Sequence, residues 1–399
     1  TLLLLLFYSI IIIIFNIAFK IYELNKISQI KESILTNVII SLVSIGTLGG
    51  YFYFTQTNFA RFVFFLGFLT IPLILSFYNK ILFFLIIKNK RSIKLLYYGS
   101  KNNFSIFESL VTEYKNWTPL EVHKVLNNEP LQNLKNNLGN YDLLIVDSDQ
   151  NYSKEEFEFL NNFEIVGGRI YTVVDMFNYF DQSIPSELIK NQHFELFSTY
   201  KLDSLYSRFF KRIGDIVISI TLMILTLPIF LIFALLIKTT SKGEVVYKQK
   251  RVGLKGKKFF MYKFRSMKID AENDEAKLTK KDDPRITAIG KIMRPLRIDE
   301  LPQLINVLKG DMSFIGPRPE REEFINEIVK ETPLFKKRLL VKPGLTGWAQ
   351  VKYSYVNNIS QMNKKLSYDL YYINNLSLFF DIKILLYTID TIVFRRGAI

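Results

Sequence analysis

The chain contains no cysteine, so a disulfide framework, a thiol nucleophile and a thiolate-ligated metal are excluded. Histidine is nearly as scarce: His123 and His193 are the two present, and none follows position 193. A serine–histidine–aspartate triad or a histidine-bound zinc in the C-terminal half is therefore excluded. Chemistry there must run on carboxylates, hydroxyls, lysine or arginine. Acidic residues are also in deficit, with 37 Asp and Glu against 52 Lys and Arg, a formal net charge of +15. Apolar residues are abundant. Of the 399 residues 49% are hydrophobic and 15% aromatic, which excludes a mainly disordered chain. The length predicts two or three domains.

Charge is absent from whole stretches of the N-terminal part. Residues 1–19, 33–60 and 62–79 carry none. The first of these, as a helix, reaches roughly 28 Å, close to the thickness of a bilayer core. A buried helix or a signal peptide would explain one such stretch. Three in succession, with no small-residue cleavage site, predict three transmembrane helices within residues 1–88. Lys20, Lys26 and Lys31 lie in the first connection, and Lys80, Lys88, Lys90, Arg91 and Lys94 follow the third span. The positive-inside rule puts both groups on the cytoplasmic face. Thr1 then lies outside, and one more span upstream would restore a cytoplasmic N-terminus.

A fourth charge-free run, residues 216–237, is long enough to span. Arg208, Lys211 and Arg212 precede it, and Lys238, Lys242, Lys248, Lys250 and Arg251 follow, so both flanks read as cytoplasmic. Pro228 near its middle removes a helical hydrogen bond and bends the chain. A helix over 213–238 that enters, breaks at Pro228 and returns to the same face fits these features better than a kinked span.

Residues 89–200 read as a separate α/β block. Ser92–Gly99 and Tyr141–Asp147 have strand character, helical pattern lies between them, and Ile165–Val174 is a further strand candidate. The turn Gly99-Ser-Lys-Asn-Asn-Phe104 lacks the G-x-G-x-x-G fingerprint. A structural or partner-binding role is therefore a better reading than a regulatory ligand site.

From Lys242 to Lys268 there are ten basic residues and one acid, Glu244. Beside an apolar segment, this pattern favours anionic lipid and an anionic substrate over nucleic acid. The stretch Arg294–Gly310 holds the richest chemistry. Ile298, Leu301, Leu304, Ile305 and Leu308 fall at helical spacing as a buried stripe, with Pro302 in the first turn and Gly310 as a stop. Asp299 and Glu300 are then placed at a helix N-terminus, between Arg294 and Arg297. Both should be held ionised there. An ionised, positioned Asp can be a nucleophile, and the neighbouring Glu can hold a magnesium ion against a phosphate. Alone, such a tetrad reads as an ordinary helix start with surface ion pairs. It is accompanied, however, by Lys263-Phe-Arg-Ser-Met267, Asp283-Pro-Arg-Ile-Thr287, Gly316-Pro-Arg-Pro319 and Lys342-Pro-Gly-Leu-Thr-Gly-Trp348. Two rigid Pro/Gly turns presenting cations and backbone N–H groups suit a diphosphate.

With these motifs, with Lys211-Arg212 and Asp215, with the run interrupted by Pro228 and with Asp369-Leu-Tyr-Tyr372, residues 211–399 resemble the bacterial sugar transferases. These are the monotopic polyprenyl-phosphate phosphoglycosyl transferases. Leu227 stands where that family often carries a small hydroxyl residue. The spans and the α/β block resemble the large form of the family. The resemblance implies a membrane protein of three parts. These are an N-terminal transmembrane helix bundle (1–88), a central Rossmann-like α/β domain (89–200), and a mostly α-helical catalytic domain (201–399) with a re-entrant helix. It implies attack by Asp299 on a UDP-sugar, a covalent phosphosugar-enzyme, release of UMP and transfer to undecaprenyl phosphate, with Mg2+ on Glu300. Lys263, Arg265, Arg285, Arg294, Gln303, Pro317, Arg318 and Pro319 are the implied substrate contacts. The implied partners are the UDP-sugar, undecaprenyl phosphate, the lipid bilayer and a second copy of the chain as a homodimer, with no nucleic acid. The implied location is the bacterial inner membrane, with the soluble domains in the cytoplasm. A glycosyltransferase that moves only the sugar and releases UDP, and a non-catalytic assembly scaffold, are the competing readings.

Overall fold

The computed structural model describes residues 33–38, 40–41, 70, 73–82, 84–85, 93–114, 120–126, 140–147, 152–189, 199–241, 243–268, 283–353 and 359–393. The chain divides into two units, Thr1–Gln182 and Ser183–Ile399. The expected span over 1–19 lies outside the described residues. Of the other two expected spans, 33–38, 40–41 and a short apolar helix, Leu73–Leu82, are described and helical.

In the first unit, β1 (Ile93–Gly99), α1 (Lys101–Tyr114), β2 (Leu120–Leu126), β3 (Leu143–Val146), α2 (Lys154–Ile165), β4 (Arg169–Thr172) and α3 (Val173–Phe180) follow one another. The sheet is wholly parallel, in the order β2-β1-β3-β4. Its buried strands are apolar on both faces: Leu95, Leu96, Tyr97 and Tyr98 of β1 and Leu144 and Ile145 of β3 have almost no exposure. The strand expected over Ile165–Val174 shrinks to Arg169–Thr172. Ile165 ends α2, and Thr172 caps α3 through a reciprocal box with Asp175. Strand β2 falls where helix is expected. The point between β1 and β3, where the strand order reverses, is the usual ligand crevice of such folds. Here the Asp147 carboxylate fills it. It accepts from the Ser100 N–H (2.8 Å) and the Tyr97 hydroxyl (2.7 Å). A β-carbon on Gly99 would lie 2.5 Å from Asp147 Oδ1, so glycine is required for this closure.

The second unit is built on α4 (Lys211–Thr240), a helix of 30 residues preceded by a π turn, Tyr206–Phe210. Sequence reading expects a break at Pro228; instead the helix runs through it. Proline at this position still removes one hydrogen bond and bends a helix. Thr226 back-bonds to the Leu222 carbonyl at 2.7 Å, a contact that often bends helices. Both arms of α4 rest on this unit. In the first arm, Arg212 donates to the carbonyls of Val307 (2.5 Å) and Leu308 (2.7 Å), and Asp215 accepts from Ser313 Oγ (2.9 Å) and Phe314 N (2.8 Å). In the second, Phe230, Phe233, Ala234 and Ile237 pack with Phe264, Met293, Ile298 and Leu301. Between the arms the apolar side chains Ile224, Leu225, Leu231 and Ile232 are exposed.

Two short sheets complete the unit, which sequence reading takes as mostly helical. One is the antiparallel pair β5 (Val246–Val252) and β6 (Lys258–Phe264). Then come α5 (Ala288–Met293), α6 (Gln303–Lys309) and β7 (Ser313–Ile315), which pairs in parallel with β8 (Gly344–Thr346). Helices α7 (Glu322–Glu331), α8 (Trp348–Lys352), α9 (Ile359–Asn374) and α10 (Leu378–Val393) finish the chain. The β7–β8 pair brings the two Pro/Gly turns together. A β-carbon on Gly344 would lie 2.0 Å from Gly316 N, so only glycines allow the approach.

Candidate active site

Asp299 and Glu300 occupy a single 3-10 turn, Ile298–Glu300, just before α6. They sit one step outside the helix start expected for them, since Pro302 is the residue that caps α6. Arg297 opens the turn in the left-handed region, at φ 55°. For a residue with a β-carbon this costs on the order of 1 kcal/mol or more. It reverses the chain between the turns Arg294–Leu296 and Ile298–Glu300, and so turns both carboxylates inward. Each keeps only 6% exposure. The buried face of α6 is Gln303, Leu304, Asn306 and Val307, so of the expected stripe within this helix Leu304 is buried while Ile305 and Leu308 are half-buried. Ile298 and Leu301 of that stripe are half-buried and lie against the second arm of α4.

The two carboxylates are treated differently. Glu300 Oε1 receives Arg318 Nη2 at 2.6 Å, Lys263 Nζ at 3.5 Å and Arg297 Nη1 at 3.5 Å. Burial opposes its ionisation. Arg318, then Lys263 and Arg297, outweigh that and hold the carboxyl well below the ordinary range. The Glu300 charge holds the Arg318 guanidinium firmly protonated. Burial pushes Lys263 down to about 8 against the pull of Glu300. Asp299, by contrast, makes no hydrogen bond or ion pair among the described residues. Burial and then the neighbouring Glu300 charge raise its pKa. The expectation that the flanking arginines lower it is thus corrected. Lys263, Arg294 and Arg297 act on Asp299 in that direction, but with less effect than desolvation and Glu300.

Two elements beyond the carboxylates' own turn deliver the other cations. Lys263 comes from β6, and the edge of β6 is fixed to α6 by Asn306. Its Oδ1 accepts from Tyr262 N (3.0 Å) and its Nδ2 donates to the Phe260 carbonyl (2.7 Å). Arg318 comes from the Gly316–Pro319 turn. Pro317 and Pro319 there are buried, and Pro317 accepts from Gly344 N at 2.9 Å. Beneath the turn, Arg338 donates to the Arg318 carbonyl (2.8 Å) and pairs with Asp369 (2.8 Å). Glu320 beside it pairs with Lys365 at 3.0 Å and Arg251 at 3.9 Å. Burial works against its charge, but Lys365, Arg338 and Arg251 hold Glu320 down to about 2. Sequence reading does not find Asn306, Glu320, Arg338 and Lys365. Their polar types in otherwise apolar, helical or turn segments are the signal available.

The remaining expected contacts divide. Arg294 lies close enough to Asp299, Asp283 and Glu300 to feel their charges, while its own burial lowers its pKa. Gln303 is almost fully buried one turn after Asp299, with its Nε2 lacking a hydrogen-bond partner among the described residues. Arg285 is engaged elsewhere, gripping Asp283 through Nε (2.9 Å) and Nη2 (2.6 Å). Arg265 packs its guanidinium where a β-carbon on Gly243 would be. The Lys263–Met267 and Asp283–Thr287 motifs are nonetheless joined, by a Met267–Ile286 bridge and by Thr287 N donating to the Ser266 carbonyl at 3.0 Å. The described residues hold no group of three or more Asp, Glu or His able to cage a metal.

The bacterial sugar transferase family model matches residues 206–395. The UDP-N-acetylgalactosamine-undecaprenyl-phosphate N-acetylgalactosaminephosphotransferase of Aeromonas hydrophila is 45% identical over 190 residues, which are 48% of this chain and 45% of that protein. The chain thus spans about half the length of such relatives. A putative undecaprenyl-phosphate N-acetylgalactosaminyl 1-phosphate transferase of Bacillus subtilis is 51% identical over 129 residues, 32% of this chain and 72% of the relative. An uncharacterized sugar transferase of the same organism, EpsL, is 38% identical over 187 residues, 47% of this chain and 89% of its own. With the paired carboxylates, the two joined Pro/Gly turns and this likeness, the chain belongs to the bacterial sugar transferase family.

Proposed function

We propose that this chain transfers a sugar 1-phosphate from a UDP-sugar to undecaprenyl phosphate, releasing UMP. The reaction would start the repeat unit of an exopolysaccharide, capsule or O-antigen. The observation that carries the reading is the division between two adjacent carboxylates: among the described residues, Glu300 is held by three cations and Asp299 by none within ion-pair distance. An Asp299 oxygen attacks the sugar-bearing phosphorus, and the bond from that phosphorus to the oxygen of UMP breaks. The phosphosugar then rests on Asp299 as an acyl phosphate. An oxygen of undecaprenyl phosphate attacks the same phosphorus, and Asp299 leaves as a free carboxylate. Lys263, Arg294 and Arg318 offset the phosphate charge in both steps. Burial and the Glu300 charge raise the pKa of Asp299, so its carboxylate is little stabilised before substrate arrives.

The donor set suits Mg2+, which takes one or two carboxylates and completes its shell with phosphates and water. All three cations meet Glu300 at Oε1, so Oε2 would hold the ion together with the substrate phosphates. When bound, Mg2+ supplies charge neutralisation on the phosphates. The reading also places α4 in the cytoplasmic leaflet as a re-entrant helix. It takes the N-terminal segments as spans of the bacterial inner membrane and both soluble parts as cytoplasmic. The exposed apolar middle of α4 and the basic residues at both its ends support this.

The test is product analysis of the full chain in detergent, with undecaprenyl phosphate and a panel of UDP-sugars. UMP and a lipid diphosphate sugar are expected, and both should disappear on chelation of Mg2+. UDP as the nucleotide product would make the protein a sugar-only glycosyltransferase. No turnover with any donor would favour a scaffold.

A further inference from the structure

A second cationic site lies at the other end of α6, outside the machinery just described. Gly310, in the left-handed conformation at φ 87°, ends that helix. The space where its side chain would stand is bordered by two cations: Arg212 Nη2 and Lys342 Nζ each lie 3.5 Å from the position of a β-carbon there. Arg212 spends part of its guanidinium on the carbonyls of Val307 and Leu308. Lys342 has no hydrogen bond and no ion pair among the described residues. The carboxylates of Asp215 and Asp311 act on it from longer range. Asp215 is already committed to Ser313 and Phe314. Burial, then the Arg212 charge, lowers the pKa of Lys342, so the pair is held together at a cost.

This pair does not belong to the Arg318 pocket. Val341 and Pro343, on either side of Lys342, line that pocket together with Arg318. Lys342 points instead to Gly310. Helix α6 also separates the pair from Glu300 by roughly 10 Å. Exposed apolar side chains lie close to both cations along the chain. Phe209, Phe210 and Ile213 neighbour Arg212 in sequence and are more than half exposed, and Leu340, two residues before Lys342, is exposed as well. Cations on segments that also carry exposed apolar side chains match the boundary between headgroups and acyl chains. A free anion would gain nothing from those apolar side chains.

We propose that Arg212 and Lys342, over Gly310, bind the phosphate of an anionic membrane lipid at the foot of α4. The site is a docking point separate from the reacting carboxylates. It rests on the reading above that α4 enters the membrane, and not on the identity of the transferred sugar.

The test is equilibrium binding of phosphatidylglycerol to the detergent-solubilised full chain without nucleotide sugar, with flotation on neutral phosphatidylcholine vesicles alongside. Lys342→Gln should weaken phosphatidylglycerol binding about fivefold, the effect of one charge at a membrane surface. Lys342→Arg should restore it, and Asp299→Asn should bind like the wild type. Inorganic phosphate at equal concentration should not compete. Equal binding by wild type and Lys342→Gln would overturn the site. Effective competition by inorganic phosphate would overturn the lipid as its ligand. Failure of the wild type to float on neutral vesicles would instead sink the membrane placement of α4, while UMP release would still judge the catalytic reading.

Discussion

Arg318 Nη2 stands 2.6 Å from Glu300 Oε1, and this contact decides which of two adjacent carboxylates is spare. Glu300 is locked into a charge cluster whose removal would leave three cations facing one another. Asp299 has no such partner among the described residues. Asp299→Asn should therefore reduce UMP release by about a thousandfold or more while the protein stays folded, because the substitution keeps the shape and relieves a buried charge. Glu300→Gln should impair both steps and lower stability, since it leaves Arg318, Lys263 and Arg297 without their counter-charge. UMP release and thermal melting separate the two. Near wild-type activity in Asp299→Asn would refute the nucleophile.

Arg338 is argued to act through Arg318 rather than on substrate. It ties the Arg318 carbonyl to Asp369 from below the turn. Breaking a buried pair of this kind costs about 3–5 kcal/mol of stability. Arg338→Lys, which keeps the charge but loses the fork, should fold better than Arg338→Ala yet still raise the KM for the UDP-sugar more than it lowers kcat. A variant with normal KM would mean that the turn holds Arg318 without help.

The pH dependence follows from Lys263. Burial brings its pKa down to about 8, so its charge is lost as the pH rises through that value. Glu300 then loses one of its three partners, and the phosphates lose a cation. The kcat/KM for the UDP-sugar should fall above about pH 8, and Lys263→Arg should move that limb upward. The stability sign is opposite. From about pH 8 to its ordinary 10.5 the unfolded chain binds the proton that the folded chain has released, so this group alone adds stability as pH rises. Glu320, held near 2 against an ordinary 4.5, contributes stability that is complete above 4.5 and is lost as the pH falls toward 2. An activity profile that is flat from pH 7 to 9 would refute the role of Lys263.

Much of the site was legible because its parts are short motifs of rigid residues. Asp299, Glu300, Lys263 and Arg318 are named by their Pro/Gly and charge context, and the structure brings them together. Arg285 was less so: a cation beside an acid in sequence tells nothing of which partner it takes, and Asp283 claims it. Asn306 was hidden because its function is to satisfy the edge of a strand more than forty residues earlier in the chain, a tertiary fact. The direction of the Asp299 shift was also out of reach. Charge order can be read from a sequence, but whether desolvation outweighs it depends on burial. Strand β2 was missed because Glu121, His123 and Lys124 interrupt its apolar residues. Only the pairing with β1 makes it a strand.

The topology of α4 can be settled by a chain that has no native cysteine. Arg212 and Asp215 of its first arm, and Phe230 and Ile237 of its second, contact the same unit. A straight spanning helix would carry Ser241 to the far side of the membrane from Asp203. The catalytic residues after it would then lie away from cytoplasmic nucleotide, and the basic stretch up to Lys268 would have to cross as well. A bent helix keeps both ends on one face. Single cysteines placed at Asp203 and at Ser241 should both resist an impermeant thiol reagent added outside intact cells and react once the cells are opened. Pro228→Ala restores the missing helical donor and permits a continuous span, so it should lower activity or give a mixed pattern in which the second site becomes accessible. Labelling of the Ser241 position alone in the otherwise unaltered chain would establish a true span and overturn the re-entrant reading.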